Sequence, residues 1–306
     1  MNRRTLLKAT GLLPLVAATD GLVMAAPTAR KRSLRFAYIG DTHIKAETKP
    51  MEQVAKCFHH LQNQADKPAF ILHGGDTIMD ALGQGRDNVQ KQWDAWNTVV
   101  KADNSLTIEY CIGNHDVWGY EQARNDPQYG KKWALEQMKL SERYRSFDRN
   151  GWHFIVLDSV QPTPENKWYT AHIDPEQLAW LKADLAKTNP KTPILLMSHI
   201  PIVSATVFYD KSNVRSGNWQ IPGSWNHTDA AELIELFYQH PNIKTALSGH
   251  MHLLDRVDYN GVAYLCNGSV CGNWWTSDTY HQTKAGYALM DLYDDGTVER
   301  TYVQYT

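Results

Sequence analysis

Residues 34–43 read Leu34-Arg35-Phe36-Ala37-Tyr38-Ile39-Gly40-Asp41-Thr42-His43. An apolar run broken only by Arg35 is followed at once by a glycine, an acid and an imidazole. A short apolar run closed by glycine predicts a buried strand of an α/β sheet. Ligand-type side chains placed directly after such strands gather at the carboxyl edge of the sheet. The pattern recurs along the chain. Ala69 to Leu72 leads into Gly74-Gly75-Asp76, and Leu106 to Ile112 leads into Gly113-Asn114-His115-Asp116. Pro193 to Met197 leads to His199, and Ile243 to Leu247 leads to Gly249-His250-Met251-His252. His153 to Leu157 reads as one more strand. Helical periodicity falls between these runs, near 51–64, 88–101, 131–140, 175–187 and 229–239, with Asp174 placed to cap and Pro175 at the first helical position.

Beyond His250 the helical pattern stops. Asn260-Gly261 and Asp294-Asp295-Gly296 predict hairpin turns, the second between strands over Tyr287 to Leu292 and Thr297 to Tyr302. With no internal repeat and no linker, residues 33–306 read as one α/β domain with a strand-rich end. Three segments fit no element: Gln161 to Ile173, Ser204 to Asn226 and Val270 to Lys284. Long insertions of this kind in a compact domain are usually functional loops.

The residues at the predicted strand ends define a chemistry. Asp41, His43, Asp76, Asn114, His199, His250 and His252 offer carboxylate, carbonyl and imidazole donors, a set that suits Mn, Fe, Zn or Ni. Seven donors exceed one tetrahedral site and match two adjacent ions bridged by a carboxylate. The glycines before Asp41, Asp76, Asn114 and His250 are expected to turn the backbone sharply without a side-chain clash. Two divalent ions against two aspartates leave a positive centre, able to hold a phosphate and to acidify a bridging water.

In this order, Asp-x-His, Gly-Asp, Gly-Asn-His-Asp, His and Gly-His-x-His resemble the calcineurin-like metallophosphoesterases over roughly residues 35 to 266. The resemblance implies a four-layer αββα sandwich. It implies Asp41, His43 and His252 on one metal, Asn114, His199 and His250 on the other, and Asp76 bridging. It implies that His115 faces the phosphate and protonates the leaving oxygen, with Asp116 orienting it, while a metal-bridging hydroxide attacks phosphorus. Asn267 to Trp275 is also similar to a stretch of some exported bacterial members. Purple acid phosphatases carry a tyrosine three residues after the bridging aspartate and lack the histidine of Asp-x-His. Here Met79 and His43 stand at those places.

Tryptophans in the unassigned loops, among them Trp219, Trp225, Trp274 and Trp275, either cover the core or wall a site for a flat group. Trp225, His227 and Trp274 are the candidate substrate contacts. His73 reads as a core histidine, and His59 and His60 as members of a helix surface. The expected activity is hydrolysis of a small phosphate ester, a diester before a monoester. The rival is a binding or metal-sequestering protein on the same fold.

Composition limits the alternatives. The chain has 306 residues, 42% hydrophobic and 21% charged, and a formal charge of −2, too balanced to neutralise a nucleic-acid duplex. Residues 1–25 read as a leader peptide with cleavage after Ala25: Arg3-Arg4 with Leu6, Leu7 and Lys8 resembles a twin-arginine signal, the alternative being an ordinary Sec leader with two arginines. The expected location is the periplasm or the outside of the cell, without a membrane anchor, since Asp20 interrupts the apolar run. Four cysteines are too few for a disulfide framework. Buried free thiols, or one bridge between Cys266 and Cys271, are both open.

Overall fold

The computed structural model describes residues 30–119, 121–163, 169–277 and 279–306. The leader over 1–25 lies outside the described residues. Lys31–Thr306 form one compact unit.

Eleven strands make two sheets. The first contains β1 (Arg32–Ile39), β2 (Ile71–His73), β3 (Ile108–Tyr110), β10 (Gly286–Tyr293) and β11 (Val298–Gln304), in the order β11-β10-β1-β2-β3. The second contains β4 (Arg145–Arg149), β5 (Trp152–Val156), β6 (Ile194–Met197), β7 (Ile243–Ser248), β8 (Val257–Tyr259) and β9 (Val262–Cys266), in the order β8-β9-β7-β6-β5-β4. β1, β2 and β3 run parallel, as do β5, β6, β7 and β9. The remaining strands add antiparallel edges.

Alternation along β1 sorts the layers. Leu34, Phe36 and Tyr38 point into a core shared with Trp152, Phe154 and Val156 of β5, Leu195 and Met197 of β6, and Leu247 of β7. Phe36 stacks on Phe70 at 5.1 Å and meets Phe154 edge-on at 5.9 Å, so aromatic rings join the two sheets. Ala37 and Ile39 point the other way, onto α1 (Thr48–Gln62) and α2 (Arg86–Asp103). A short α3 (Lys132–Met138) adds Trp133 and Met138 to that core. The outer face of the second sheet packs on α4 (Pro175–Lys187) and α5 (Ala230–Tyr238). The result is helix, sheet, sheet, helix: the four layers expected. Asp174 caps α4, its Oδ1 accepting from the Gln177 amide at 3.0 Å. The Asn260-Gly261 turn has φ of +49° and +84°, the mirror-image turn that joins β8 to β9. β4 carries no apolar alternation to announce it: it is a polar edge strand of sequence Arg-Ser-Phe-Asp-Arg with only Phe147 to mark its face.

All four cysteines are buried and free, so Cys266 and Cys271 do not bridge. Among the described residues no helix is long and apolar enough to cross a membrane.

Candidate metal centre

The carboxyl ends of β1, β2, β3, β6 and β7 converge at one edge, and backbone bonds continue the ladders past the strands. Asp41 N donates to Gly75 O at 3.0 Å, His43 N to Asp76 O at 3.1 Å and Gly249 N to His199 O at 3.0 Å. Cys271 N reaches Asp41 O at 3.2 Å and so ties the loop after β9 to the loop after β1.

Five of the seven expected ligands adopt left-handed backbone: Asp41 (φ +52°), His43 (+41°), Asp76 (+52°), His250 (+67°) and His252 (+55°). Such conformations cost on the order of 1–3 kcal/mol each and cluster where geometry serves function. The expectation for the glycines is therefore corrected in part. The ligands themselves make the sharp turns, and the glycines before them supply room. A Cβ at Gly113 would collide with the Asp76 carboxylate and amide, one at Gly249 with Asp41, and one at Gly74 with the Tyr38 ring. Gly75 alone of these four glycines needs a positive φ, at +96°.

The side chains meet in one cluster. His43 Nε2 lies 3.1 Å from His252 Nε2, and His199 Nε2 lies 3.2 Å from His250 Nδ1. Between the pairs sits Asp76 Oδ2, 3.1 Å from His199 Nε2 and 3.6 Å from His43 Nε2. Asp41 Oδ1 is 3.5 Å from His252 Nε2, and Asn114 Oδ1 is 3.0 Å from His199 Nε2. Asp41, His43, Asp76, Asn114, His199 and His252 are all buried. Burying two carboxylates and three imidazoles is costly unless cations or protons sit among them. Imidazole nitrogens facing each other at 3.1–3.2 Å have the spacing of donors around a shared ion. The donor set fits divalent metal.

Without metal, electrostatics divides the cluster. Burial alone would lower His199, but the Asp76 carboxylate raises it to about 9. Burial pushes Asp76 up, and the charges of His199 and His115 hold it well below the usual carboxylate range. Burial, reinforced by His199, lowers His250 to about 3. Metal binding would displace the protons held here.

His115 stands beside the cluster, its ring 4.8 Å from that of His43. Its backbone amide donates to Asp76 Oδ1 at 2.8 Å, so ring and carboxylate are held together. Asp116, expected to orient it, does not. The Asp116 carboxylate is buried and accepts from the amides of Thr77 (2.8 Å), Ile78 (3.3 Å) and Gly113 (2.9 Å), which clamps the Asp76 loop to the Asn114 loop. The acid facing His115 Nδ1 is Asp80, at 3.5 Å, a residue the sequence reading passed over. Its only signal was its position four residues after Asp76 in the same loop.

Two cavities flank the cluster. One of 190 Å³ is lined by His250, His252, Trp225, Trp274, Tyr209 and Tyr280. A larger one of 820 Å³ is lined by Asn114, His115, Asp80 and residues beyond them. Trp274 lies 4.2 Å from His43 and 4.8 Å from His252, ring to ring, and Trp225 stacks on Tyr209 at 5.4 Å. The other two tryptophans lie elsewhere. Trp275 faces inward and donates to His43 O at 2.8 Å; Trp219 is 44% exposed and packs on Phe208. The expectation for His227 is also corrected. It is 3% exposed, its Nδ1 is held by Asp229 at 3.0 Å, and it lines neither cavity. His73 is a core histidine, its Nδ1 accepting from Gly75 N and its ring against Trp96 and Tyr110. Asp255, also unforeseen, anchors the 204–226 loop through Ser204 Oγ and the amides of Ala205 and Thr206.

Sheets packed face to face under helical layers, with an acid–imidazole cluster at the strand ends, define an αββα sandwich with a candidate metal centre at one edge. Residues 34–254 match the Calcineurin-like phosphoesterase family, and the chain belongs to it. It is 28% identical to a 3′,5′-cyclic-nucleotide phosphodiesterase of Nostoc sp. over 87% of this chain and 91% of that one. It is 22% identical to the 3′,5′-cyclic adenosine monophosphate phosphodiesterase CpdA of Escherichia coli, over 90% and 91%. Purple acid phosphatase 23 of Arabidopsis thaliana is 24% identical over 73% of this chain but only 48% of its own length. Among solved structures, a dimetal phosphatase from Danio rerio superposes with a TM-score of 0.59 at 14% identity, over 90% of this chain and all of that one.

Proposed function

We propose that this chain is an exported phosphodiesterase whose centre takes two divalent cations, one at Asp41, His43 and His252, the other at Asn114, His199 and His250, with Asp76 between them. The observation that carries the reading is the position of Asp76 Oδ2, a single carboxylate oxygen set between two imidazole pairs. When bound, the cations supply Lewis acidity toward the phosphoryl oxygens and a water of lowered pKa. The chain's own residues position the rest. His115 delivers a proton to the departing oxygen, Asp80 faces its Nδ1, and Asp76 holds its backbone. Trp274 and Trp225 bound the far side.

Preference for a diester is supported by the two cyclic-nucleotide phosphodiesterases, each matched over about nine-tenths of both chains. A phosphomonoester is the second reading, favoured by the likeness to a purple acid phosphatase, which this chain matches over about half of that relative's length. The test is hydrolysis of cyclic adenosine monophosphate, bis(4-nitrophenyl) phosphate and 4-nitrophenyl phosphate by protein loaded with Mn²⁺, with and without chelator. Chelator-sensitive cleavage of the diesters in preference to the monoester is expected. Preference for the monoester selects the second reading. Absence of cleavage with every divalent metal returns the chain to the binding or sequestering class.

A further inference from the structure

We propose that the 820 Å³ cavity beside His115 receives the leaving alcohol of the substrate, and that this alcohol is a bulky, uncharged group with a flat or aliphatic body. The inference rests on the phosphoesterase reading above and adds to it the side on which the substrate is large.

The argument begins with the proton donor. A group that protonates the departing oxygen must lie within hydrogen-bond reach of it, so the leaving side is the His115 side. His115 and Tyr169 line both cavities and form the seam between them. Asn114, Asp80 and everything past them belong to the large cavity, whereas His250, His252 and Trp274 belong to the small one. The volumes are unequal in the same sense. At 820 Å³ the cavity on the Asn114 and Asp80 side of His115 falls within the roughly 300–1,000 Å³ that holds a drug-sized ligand, and the 190 Å³ cavity on the His250 and Trp274 side falls below it.

The lining specifies the chemistry. Leu82, Val117, Trp118, Leu135, Val160 and Tyr169 give apolar and aromatic walls. Of the three cations at the cavity margin, Lys132 is exposed, and the two that are part-buried, Lys131 and Arg143, are already matched. Lys131 Nζ lies 2.5 Å from Asp158 Oδ2, and Arg143 lies 3.0 Å from Asp158 and 2.6 Å from Asp174. A second phosphate or a carboxylate on the alcohol would have to compete with Asp158 and Asp174 for these partners. A neutral hydrogen-bonding tip, as on a nucleoside or an aryl alcohol, meets Gln161 and this ion network without that competition.

The experiment narrows the cavity. A Cβ at Gly83 would meet only Asp80 Oδ2, at 3.7 Å, so Gly83→Phe adds a ring at the wall without a backbone clash. Leu135→Trp is the second variant, from a different element. Three diesters are compared, each rate taken relative to wild type: methyl 4-nitrophenyl phosphate, with a one-ring leaving group and a small retained side; methyl 4-methylumbelliferyl phosphate, with a larger fused-ring leaving group; and thymidine 5′-(4-nitrophenyl) phosphate, with the one-ring leaving group and a large retained side. In both variants kcat/KM for the umbelliferyl ester should fall about tenfold or more relative to the methyl nitrophenyl ester, the range of one badly fitted pocket contact. Binding of free 4-methylumbelliferone, read by its fluorescence, should weaken in parallel. A selective loss on the thymidine ester, or an equal loss on all three, overturns the inference while leaving the phosphoesterase reading intact. Failure of wild type to cleave any of the three with any divalent metal removes that reading itself.

Discussion

At the scale of single residues, Asp76 and His115 share a hydrogen bond but have separable tasks. Asp76→Asn removes the charge set between the two imidazole pairs, so both metals should be lost together, measured as metal per protein after gel filtration. Retention of two metals with normal turnover would refute the bridging role. His115→Ala should keep both metals and lower turnover by roughly 10²–10⁴-fold, with the smaller loss on a nitrophenyl ester whose leaving group needs no proton. Loss of metal would make His115 a ligand instead. Asp116 is a structural residue with three amides to satisfy. Asp80, not Asp116, is the carboxylate whose removal should change the pH profile of turnover by way of His115.

At the scale of elements, the loops after β6 and β9 carry the small cavity. Trp225 and Trp274 bound it from 204–226 and 270–284. Walls that touch the non-reacting part of a substrate contribute mainly uniform binding. Trp225→Ala and Trp274→Ala should therefore raise KM for a bulky diester more than they lower kcat; a fall in thermal stability alone would mark them as packing residues. Away from the site, β5 is tied to β4 and α4 by His153, whose Nδ1 meets Asp148 at 2.7 Å and whose Nε2 meets Asp184 at 2.8 Å. Burial alone would lower this imidazole, but the hydrogen bonds to Asp184 and Asp148 raise it above 6.5. A folded-state pKa above the unfolded one stabilises fully below the unfolded value, and the effect is lost as pH rises through the folded value. The gap in melting temperature between wild type and His153→Gln should thus be larger near about pH 5.5 than near about pH 8.5. A gap independent of pH would show that His153 acts through packing alone.

At the scale of the whole molecule, the metal centre joins both sheets: β1, β2 and β3 of one and β6 and β7 of the other each contribute donors. Ions bound at such a seam stabilise the folded state by mass action. Chelation should lower the melting temperature of wild type and leave that of Asp76→Asn nearly unmoved. The same dependence on a finished fold bears on export. If residues 1–25 direct the twin-arginine route, which carries folded proteins, replacing Arg3 and Arg4 by Lys should hold precursor in the cytoplasm. Undiminished periplasmic yield would point to a route for unfolded chains.

How much of this was legible depends on the range of the interactions involved. Strand β1, its ligands Asp41 and His43, and the helix capped by Asp174 were readable because apolar periodicity, glycine punctuation and capping are properties of a few consecutive residues. The order of ligand motifs along the chain likewise carried the family and its four layers. What no local pattern contained was direction. Asp80 and Asp116 are both acids near the site, four residues after Asp76 and one residue after His115 respectively, yet the first faces His115 and the second turns to three backbone amides. Trp274 and Trp275 are neighbours, and one meets the cluster while the other supports His43 from within. The left-handed turns at Asp41, His43, Asp76, His250 and His252 moved the sharp turns expected of the glycines largely onto the ligands themselves, leaving the glycines to supply room. A side chain's orientation at such a turn is set by packing against segments tens to hundreds of residues away, so the identity of the donors was written in the sequence and their facing was decided only by the assembled sheets.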